Sequence, residues 1–348
     1  MERFIGIDVH KTSCTFAVVG SKGKKIRTDV VETNGRALIE YVKGLPGKKR
    51  ICLEEGTQAR WVYELLKPHA TEVAVVNVRQ KHANKNDQLD AFALAEDYRL
   101  GKFKKHVYKE HGAFGALQAH ARLYTKVVRD HVRVQNRLSS MARARAISYS
   151  SSEPEKFIKA LPSYQQAAAQ TLLLQLNALT EIRQRAEEEL ERQVGKHKIS
   201  KVLLTAPGFG KKRVAQLMAV VVDPHRFCHK RKFWSYCGFA VKTTSSSDWF
   251  KDNGDWKRKK TTLTRGLNQA HNAIMKEIFK SAAKTVIDSK NLNEPLYSDY
   301  LRLLDQGTKP PMAQLTIARK LAATVLAMWK RQEAYKPSEY RSAKNSAA

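Results

Sequence analysis

No apolar run in this chain approaches the twenty or so residues a membrane-spanning helix needs, so a membrane role is not expected. Cysteine is scarce. The four residues, Cys14, Cys52, Cys228 and Cys237, include no CxxC pair, which argues against a disulfide framework and against structural zinc. Two of the four fall inside strand-like runs, where a small buried hydrophobe is the ordinary reading. Acidic residues are also in deficit, with 33 Asp and Glu against 63 Lys and Arg, a net charge of +30 and a pI near 10.0. An excess of that size points to a polyanionic partner, nucleic acid ahead of an anionic membrane. The N-terminus, MERFIGIDVHK, opens on strand alternation and not on a signal peptide, so a cytoplasmic, nucleoid-associated location is expected.

What the chain does contain is 348 residues with 42% apolar composition, enough for two packed cores joined by an elongated piece. From Phe4 onward, FIGIDV, CTFAVVG and KKIRTDVVET form three strand-like runs separated by short turns, an antiparallel meander. RALIEYVKGL then reads as a helix, RICLEE as a buried strand, ARWVYELLKPH as a helix, EVAVVNV as a strand and DQLDAFALAEDYRL as a helix. Three strands followed by alternating helix and strand is the order of an α/β RNase H-like domain, here assigned to residues 1–105. A Rossmann-type fold would want a Gly-rich turn after the first strand, and DVHKTS is not one.

Residues 106–198 read as a basic, helical, Gly-poor middle. Leu172, Leu176, Leu179, Ala186 and Leu190 make an apolar seam interrupted at Arg183, the pattern of a coiled-coil hairpin, with SYSSSEPE at the turn. Arg122, Lys126, Arg129, Arg133 and Arg137 stack on one helix face, either as a stripe for nucleic acid or as a solvated surface. Residues 199–336 read as a mainly α C-terminal domain. In it KVLLTAPGFGKKRVAQLMAVV resembles a helix-hairpin-helix motif, with Lys211, Lys212 and Arg213 beside a Gly-rich turn that backbone N–H groups can offer to a phosphate. DWFKDNGDWKRKK carries Trp249, Phe250 and Trp256 among basic residues, which either stack on bases or form a small β-hairpin core. MAQLTIARKLAATVLAMWKRQEAY reads as a closing amphipathic helix, and 337–348 as a disordered tail.

Four acids fall at the ends of separate elements. Asp8 ends the first strand and Glu54 the fourth, so both project from one sheet edge, while Asp87 and Asp90 sit at i and i+3 at a helix start and share a face. Hard oxygen ligands gathered from several elements suit a two-metal phosphodiester site with Mg²⁺ or Mn²⁺. Taken singly, each acid also has an ordinary explanation: a strand-end turn residue, a surface acid, Asp87 as an N-cap, Asp90 on an exposed helix face. Their coincidence in so basic a chain favours the metal site.

GIDVHK at 6–11, CLEEGT at 52–57, NVRQ at 77–80 and KNDQLDAFALA at 85–95 resemble the DEDD, RuvC-like catalytic domain of the insertion-sequence transposases of the IS-110 group. Asp8, Glu54, Asp87 and Asp90 match that family's acids, with Glu55 standing where Ala is common. LLTAPGFG and FWSYCGF resemble the family's C-terminal blocks, so the likeness runs over most of the chain.

The resemblance implies a serine nucleophile in KTTSSSDW, where Asp248 replaces the usual Gly. An ungapped count places it at Ser246, and alignment on the last serine would place it at Ser247. It further implies cleavage and rejoining of DNA through a phosphoserine linkage, a structured non-coding guide RNA, and a composite site in a homodimer or homotetramer assembled through the coiled coil. Lys11 and Arg79 either contact phosphates near that site or are solvated charges. Transposase and invertase remain open. Two rivals use the same residues differently: a structure-selective endonuclease with water as nucleophile, and a non-catalytic nucleic-acid-binding protein.

Overall fold

The computed structural model describes residues 1–77, 86–103, 114–150, 152–245, 249–258 and 262–340, and the chain divides into two units, Met1–Glu110 and His111–Ala348. In the first unit five strands form one sheet in the order β3-β2-β1-β4-β5. β1 (Glu2–Val9), β2 (Ser13–Gly20) and β3 (Lys25–Glu32) are the antiparallel meander, while β4 (Lys48–Glu54) lies parallel to β1, and β5 (Glu72–Val76) parallel to β4. Helices α1 (Gly35–Gly44), α2 (Ala59–Leu66) and α3 (Asp87–Arg99) complete it. A mixed sheet with helices in this order is the arrangement expected of an α/β RNase H-like domain.

Strand alternation divides the core between the two faces of the sheet. Ile5, Ile7, Ile51, Leu53, Val73 and Val75 pack with Leu38 and Val42 of α1 and Val62 and Leu66 of α2. On the other face Cys52, Ala74 and Val76 pack with Leu94 of α3, and Tyr98 leans on them. Cover on both sides is why β1, β4 and β5 read as nearly continuous apolar runs. α3 comes down onto β1 at Gly6, where a Cβ would stand 2.0 Å from the Ala91 carbonyl oxygen and 2.8 Å from the Ala95 nitrogen. Only glycine allows that approach.

In the second unit, α4 (Gly115–Arg143) and α6 (Ser163–Gly195) run antiparallel, with α5 (Pro154–Ala160) between them in sequence. His131 Nε2 lies 3.1 Å from Thr180 Oγ1 where the two long helices meet. Leu176 is buried with Val134, Leu138 and Ala142, and Leu172 and Leu179 pack against the same cluster. Nearer the other end, Leu117 and Ala121 of α4 and Leu190 and Val194 of α6 join the core of α7 (Lys198–Leu203), α8 (Lys211–Val221), α9 (Lys230–Tyr236), α10 (Ala273–Asp288), α11 (Pro295–Asp305) and α12 (Pro310–Arg331). That mostly helical core crosses the boundary the sequence suggested near residue 198, because the long helices carry apolar ends that only the later helices can cover.

Two small ribbons complete this unit: β6 (Val241–Ser245) pairs with β9 (Thr262–Leu267), and β7 (Trp249–Asp252) with β8 (Asp255–Arg258). The tail assigned to 337–348 is held over its first residues, since Tyr340 donates to Asp299 Oδ2 at 2.8 Å. Residues 341–348 lie outside the described residues. Among the described residues no helix is long and apolar enough to cross a membrane.

Replacing Gly6 with Ala is expected to cost about 1–3 kcal/mol of stability or more, because the new methyl meets backbone that cannot move aside as a side chain would. Urea unfolding monitored by circular dichroism measures it. Divalent-metal affinity should fall in the same variant, since α3 carries Asp87 and Asp90. Unchanged stability would mean that α3 does not rest on β1.

Candidate metal centre

Asp8 and Glu54 sit at the same ends of neighbouring parallel strands. Ile7 pairs with Leu53, so the residues after them are level and point to one face, the face that α3 covers. At the start of α3 the side chain of Asn86 accepts from the Gln88 and Leu89 N–H groups at 3.0 and 3.4 Å. Asn86 is therefore the cap, which leaves the Asp87 carboxylate outside the capping role its position first suggests. Asp87 and Asp90 occupy the first turn, where the helix dipole favours negative charge.

His10 joins them. Its Nε2 lies 3.2 Å from Asp8 Oδ2 and 3.4 Å from Asp87 Oδ2. Asp8, His10 and Asp87 each offer a ligand atom within 4.8 Å of the others. Two carboxylate oxygens and one imidazole nitrogen form a donor set that fits a divalent cation, with the oxygens suiting Mg²⁺ and the nitrogen extending the range to transition metals.

Asp8 itself carries the electrostatic signature of the site. Burial raises its pKa above the usual carboxylate value, the nearby charges of Asp87 and Asp90 raise it further, and His10 opposes them by charge and hydrogen bond. A half-buried carboxylate crowded by like charge is an arrangement that a bound cation relieves.

The four predicted acids thus fall into three grades of proximity. Asp8 and Asp87 share His10, and Asp90 acts on Asp8 through its charge. Glu54 is exposed on the adjoining strand and has interactions of its own. Lys11 is exposed in the turn after β1. Arg79, Ser246, Ser247 and Asp248 lie outside the described residues, and Ser245 ends β6. The residue that sequence reasoning passed over is His10. Its signal was the two-residue step from Asp8, which returns a side chain to the same side of an extended chain.

The basic residues behave in two ways. Arg122, Lys126, Arg129, Arg133 and Arg137 are all exposed along α4, with Arg133 paired to Asp130 at 2.8 Å. Those near the turn between α7 and α8 are engaged within the protein. Lys211 meets Glu191 at 3.0 Å and Lys212 meets Glu187 at 2.6 Å, while Arg213 donates to Ser281, Thr285 and the Gly208 carbonyl. Gly208 has φ of +75° and a Cβ there would stand 2.4 Å from the Ala282 carbonyl oxygen, so this turn is fixed by close packing on α10.

Asp8→Asn is expected to raise the melting temperature of the metal-free protein at pH 7 by a few degrees, read by differential scanning fluorimetry in EDTA. The folded state holds the Asp8 proton more tightly than the unfolded chain does, so ionised Asp8 destabilises the fold above its raised pKa. The advantage of Asn should therefore shrink as pH falls toward 3.8, the group's ordinary value. A lower melting temperature at pH 7 would make Asp8 a structural residue.

A family model described as a transposase, the DEDD type of the IS110 group, matches residues 5–144. A second, described as transposase of the IS116/IS110/IS902 family, matches residues 200–295. No curated protein matches the chain. The first match runs from within β1 through the rest of the sheet and α3, and its DEDD character accords with use of a divalent metal at the acidic cluster. The second runs from within α7 to the start of α11. Matched in both units, this chain belongs to the IS110 family of transposases, enzymes of DNA transposition and recombination.

Proposed function

We propose that this transposase cuts and rejoins DNA at specific sites through a phosphoserine linkage, with Asp8, Glu54, Asp87 and Asp90 holding Mg²⁺ or Mn²⁺ and Ser246 as nucleophile. The observation that carries the metal-site half is the meeting of Asp8 and Asp87 across His10, from a strand end and a helix start remote in sequence. When bound, the metal would offset charge on the scissile phosphate and lower the cost of ionising an attacking hydroxyl. The carboxylates would fix where that charge is offset, and α3 would hold two of them at a set spacing.

Ser246 does the bond-making in this scheme. Its Oγ forms a bond to phosphorus as the bond from phosphorus to one sugar oxygen breaks, and the serine proton is balanced by the proton the departing sugar hydroxyl takes up. One phosphodiester replaces another, so reversal onto a different strand end rejoins DNA with no outside energy source. Dimers or tetramers would bring Ser246 and the carboxylates to one phosphate, assembled through a coiled coil of the long helices. A structured non-coding guide RNA would choose the sites, and the exposed stripe on α4 would track phosphates.

The test is incubation of the purified protein, any bound RNA and Mg²⁺ with supercoiled junction DNA, followed by a denaturing gel. A covalent protein–DNA adduct is expected in wild type, absent in Asp8→Ala and in Ser246→Ala, and retained in Ser247→Ala. Metal-dependent nicking with no adduct in any variant would favour an endonuclease using water. Recombination that survives complete RNase treatment would remove the guide RNA.

Charge on α4 has its own readout. Changing Lys126 and Arg129 together to Ala should reduce the slope of log K against log salt for DNA by about two, one for each phosphate no longer neutralised. An unaltered slope would make the stripe a solvated surface.

A further inference from the structure

β7 and β8 form an antiparallel ribbon closed by Asn253 and Gly254, whose φ values of 50° and 91° suit the tight turn that matches strand twist. Trp249 pairs with Arg258 and Lys251 with Trp256. Paired residues point to one side and alternate residues repeat it, so Trp249, Lys251 and Trp256 share a face. Trp249 is 58% exposed and Trp256 62% exposed, and the Lys251 ammonium lies 5.8 Å from the centre of the Trp256 ring. On the other face Lys257 is taken up by Asp252 at 2.7 Å.

Two indoles left in water on a two-stranded ribbon do nothing for the fold. Among the described residues neither joins a buried cluster, whereas Trp329 lies deep in the helical core. The third described member of the face is a cation, which suits a polyanion better than an apolar protein surface. Over residues 249–260 the chain carries five Lys and Arg against two Asp. Aromatic rings interleaved with cations are the means by which proteins hold unpaired nucleobases: rings stack on base faces and ammonium groups follow the phosphates.

We propose that this ribbon face is a stacking platform for unpaired bases of the DNA strand beside the phosphate being cut. Its placement there rests on the Ser246 reading given above. Trp249 is the third residue after Ser246, at most about 11 Å of extended chain away, so a strand whose phosphate reaches Ser246 passes within reach of Trp249. Trp249 and Trp256 would hold bases out of the duplex while Lys251 follows the backbone. The lost base pairing is offset by stacking on two indoles.

The experiment uses the full-length protein and its Trp249→Ala, Trp256→Ala, Trp249→Phe and Ser246→Ala variants, each first shown to melt like wild type. Fluorescence anisotropy gives affinity for a single-stranded DNA oligonucleotide, the same sequence as duplex, and the same sequence as RNA. Each Trp→Ala change should weaken single-stranded DNA binding roughly 5- to 100-fold and leave duplex binding within twofold, and Trp249→Phe should recover most of the loss. Equal loss on duplex, loss on RNA alone, or no loss would overturn the proposal.

A second measurement locates the platform. With 2-aminopurine placed base by base along junction DNA, fluorescence quenching that depends on Trp249 should be confined to bases next to the cleaved phosphate. Quenching elsewhere, or none, would overturn the placement. Binding and quenching need no chemistry, so Ser246→Ala should preserve both. An adduct that persists in Ser246→Ala would sink the nucleophile assignment while the anisotropy result still judges the stacking.

Discussion

At Gly6 the backbone of α3 lies against β1 with no room for a methyl group, and the geometry of the acidic cluster follows from that close approach. β1 is the central strand of the sheet, paired on both edges and covered on both faces, which makes it the least yielding element of its unit. Asp8 ends it. α3 is held to the strand along Ala91 and Ala95 and is started by the Asn86 cap, so its first-turn acids stand at a fixed height over that strand end. A larger residue at position 6 would lift the helix and separate Asp87 from Asp8 without touching either.

A half-buried and a fully buried aspartate, Asp8 and Asp299, show what such placement is for. Burial alone would raise Asp299, but hydrogen bonds from Lys320, Arg302 and Tyr340 more than reverse it, and its pKa falls below the ordinary value. That carboxylate has its cations built in and ties α11, α12 and the C-terminal segment together. At Asp8 the balance goes the other way. Its neighbours are two more carboxylates and one histidine, and its pKa rises. A protein selected only for stability would have paired or removed such a group. Leaving it short of positive charge makes sense where the missing charge arrives with a ligand.

Much of this was legible in the sequence because it rests on local periodicity. Alternating and continuous apolar runs marked all five strands of the first unit, and the same runs put the acids at element ends on one sheet edge. Long-range pairing could not be read the same way. Nothing local says that Lys211 and Lys212 meet Glu191 and Glu187, which lie a helix away, or that Leu117 and Val194 share a core with Trp329. His10 was missed because a two-residue step from one acid is a weak signal for a lone histidine, and it acquires its meaning when α3 brings Asp87 to it. For the tryptophan segment the sequence left stacking and hairpin as alternatives. The ribbon forms, yet Trp249 and Trp256 stay outside its packing, so the two readings do not compete.

A net charge of +30 therefore says less about the nucleic-acid surface than the distribution of partners does. Cations at the start of α8 are already neutralised by acids of α6 and would have to break those ion pairs to reach a phosphate. Among the described residues those on α4 lie in a row and meet few acids, Arg133 with Asp130 being one such pair, which is the geometry counterion release rewards. Lys251 differs again, since its charge sits over an exposed indole and can serve a base and a phosphate together. Sorted this way, the excess charge divides into internal pairs between helices, an exposed stripe along α4, and a ribbon whose lysine lies over an exposed indole. On the proposed reading, an enzyme that grips a duplex and opens it at one phosphate needs the last two on different elements, because a surface shaped for paired backbone does not by itself reward unpairing.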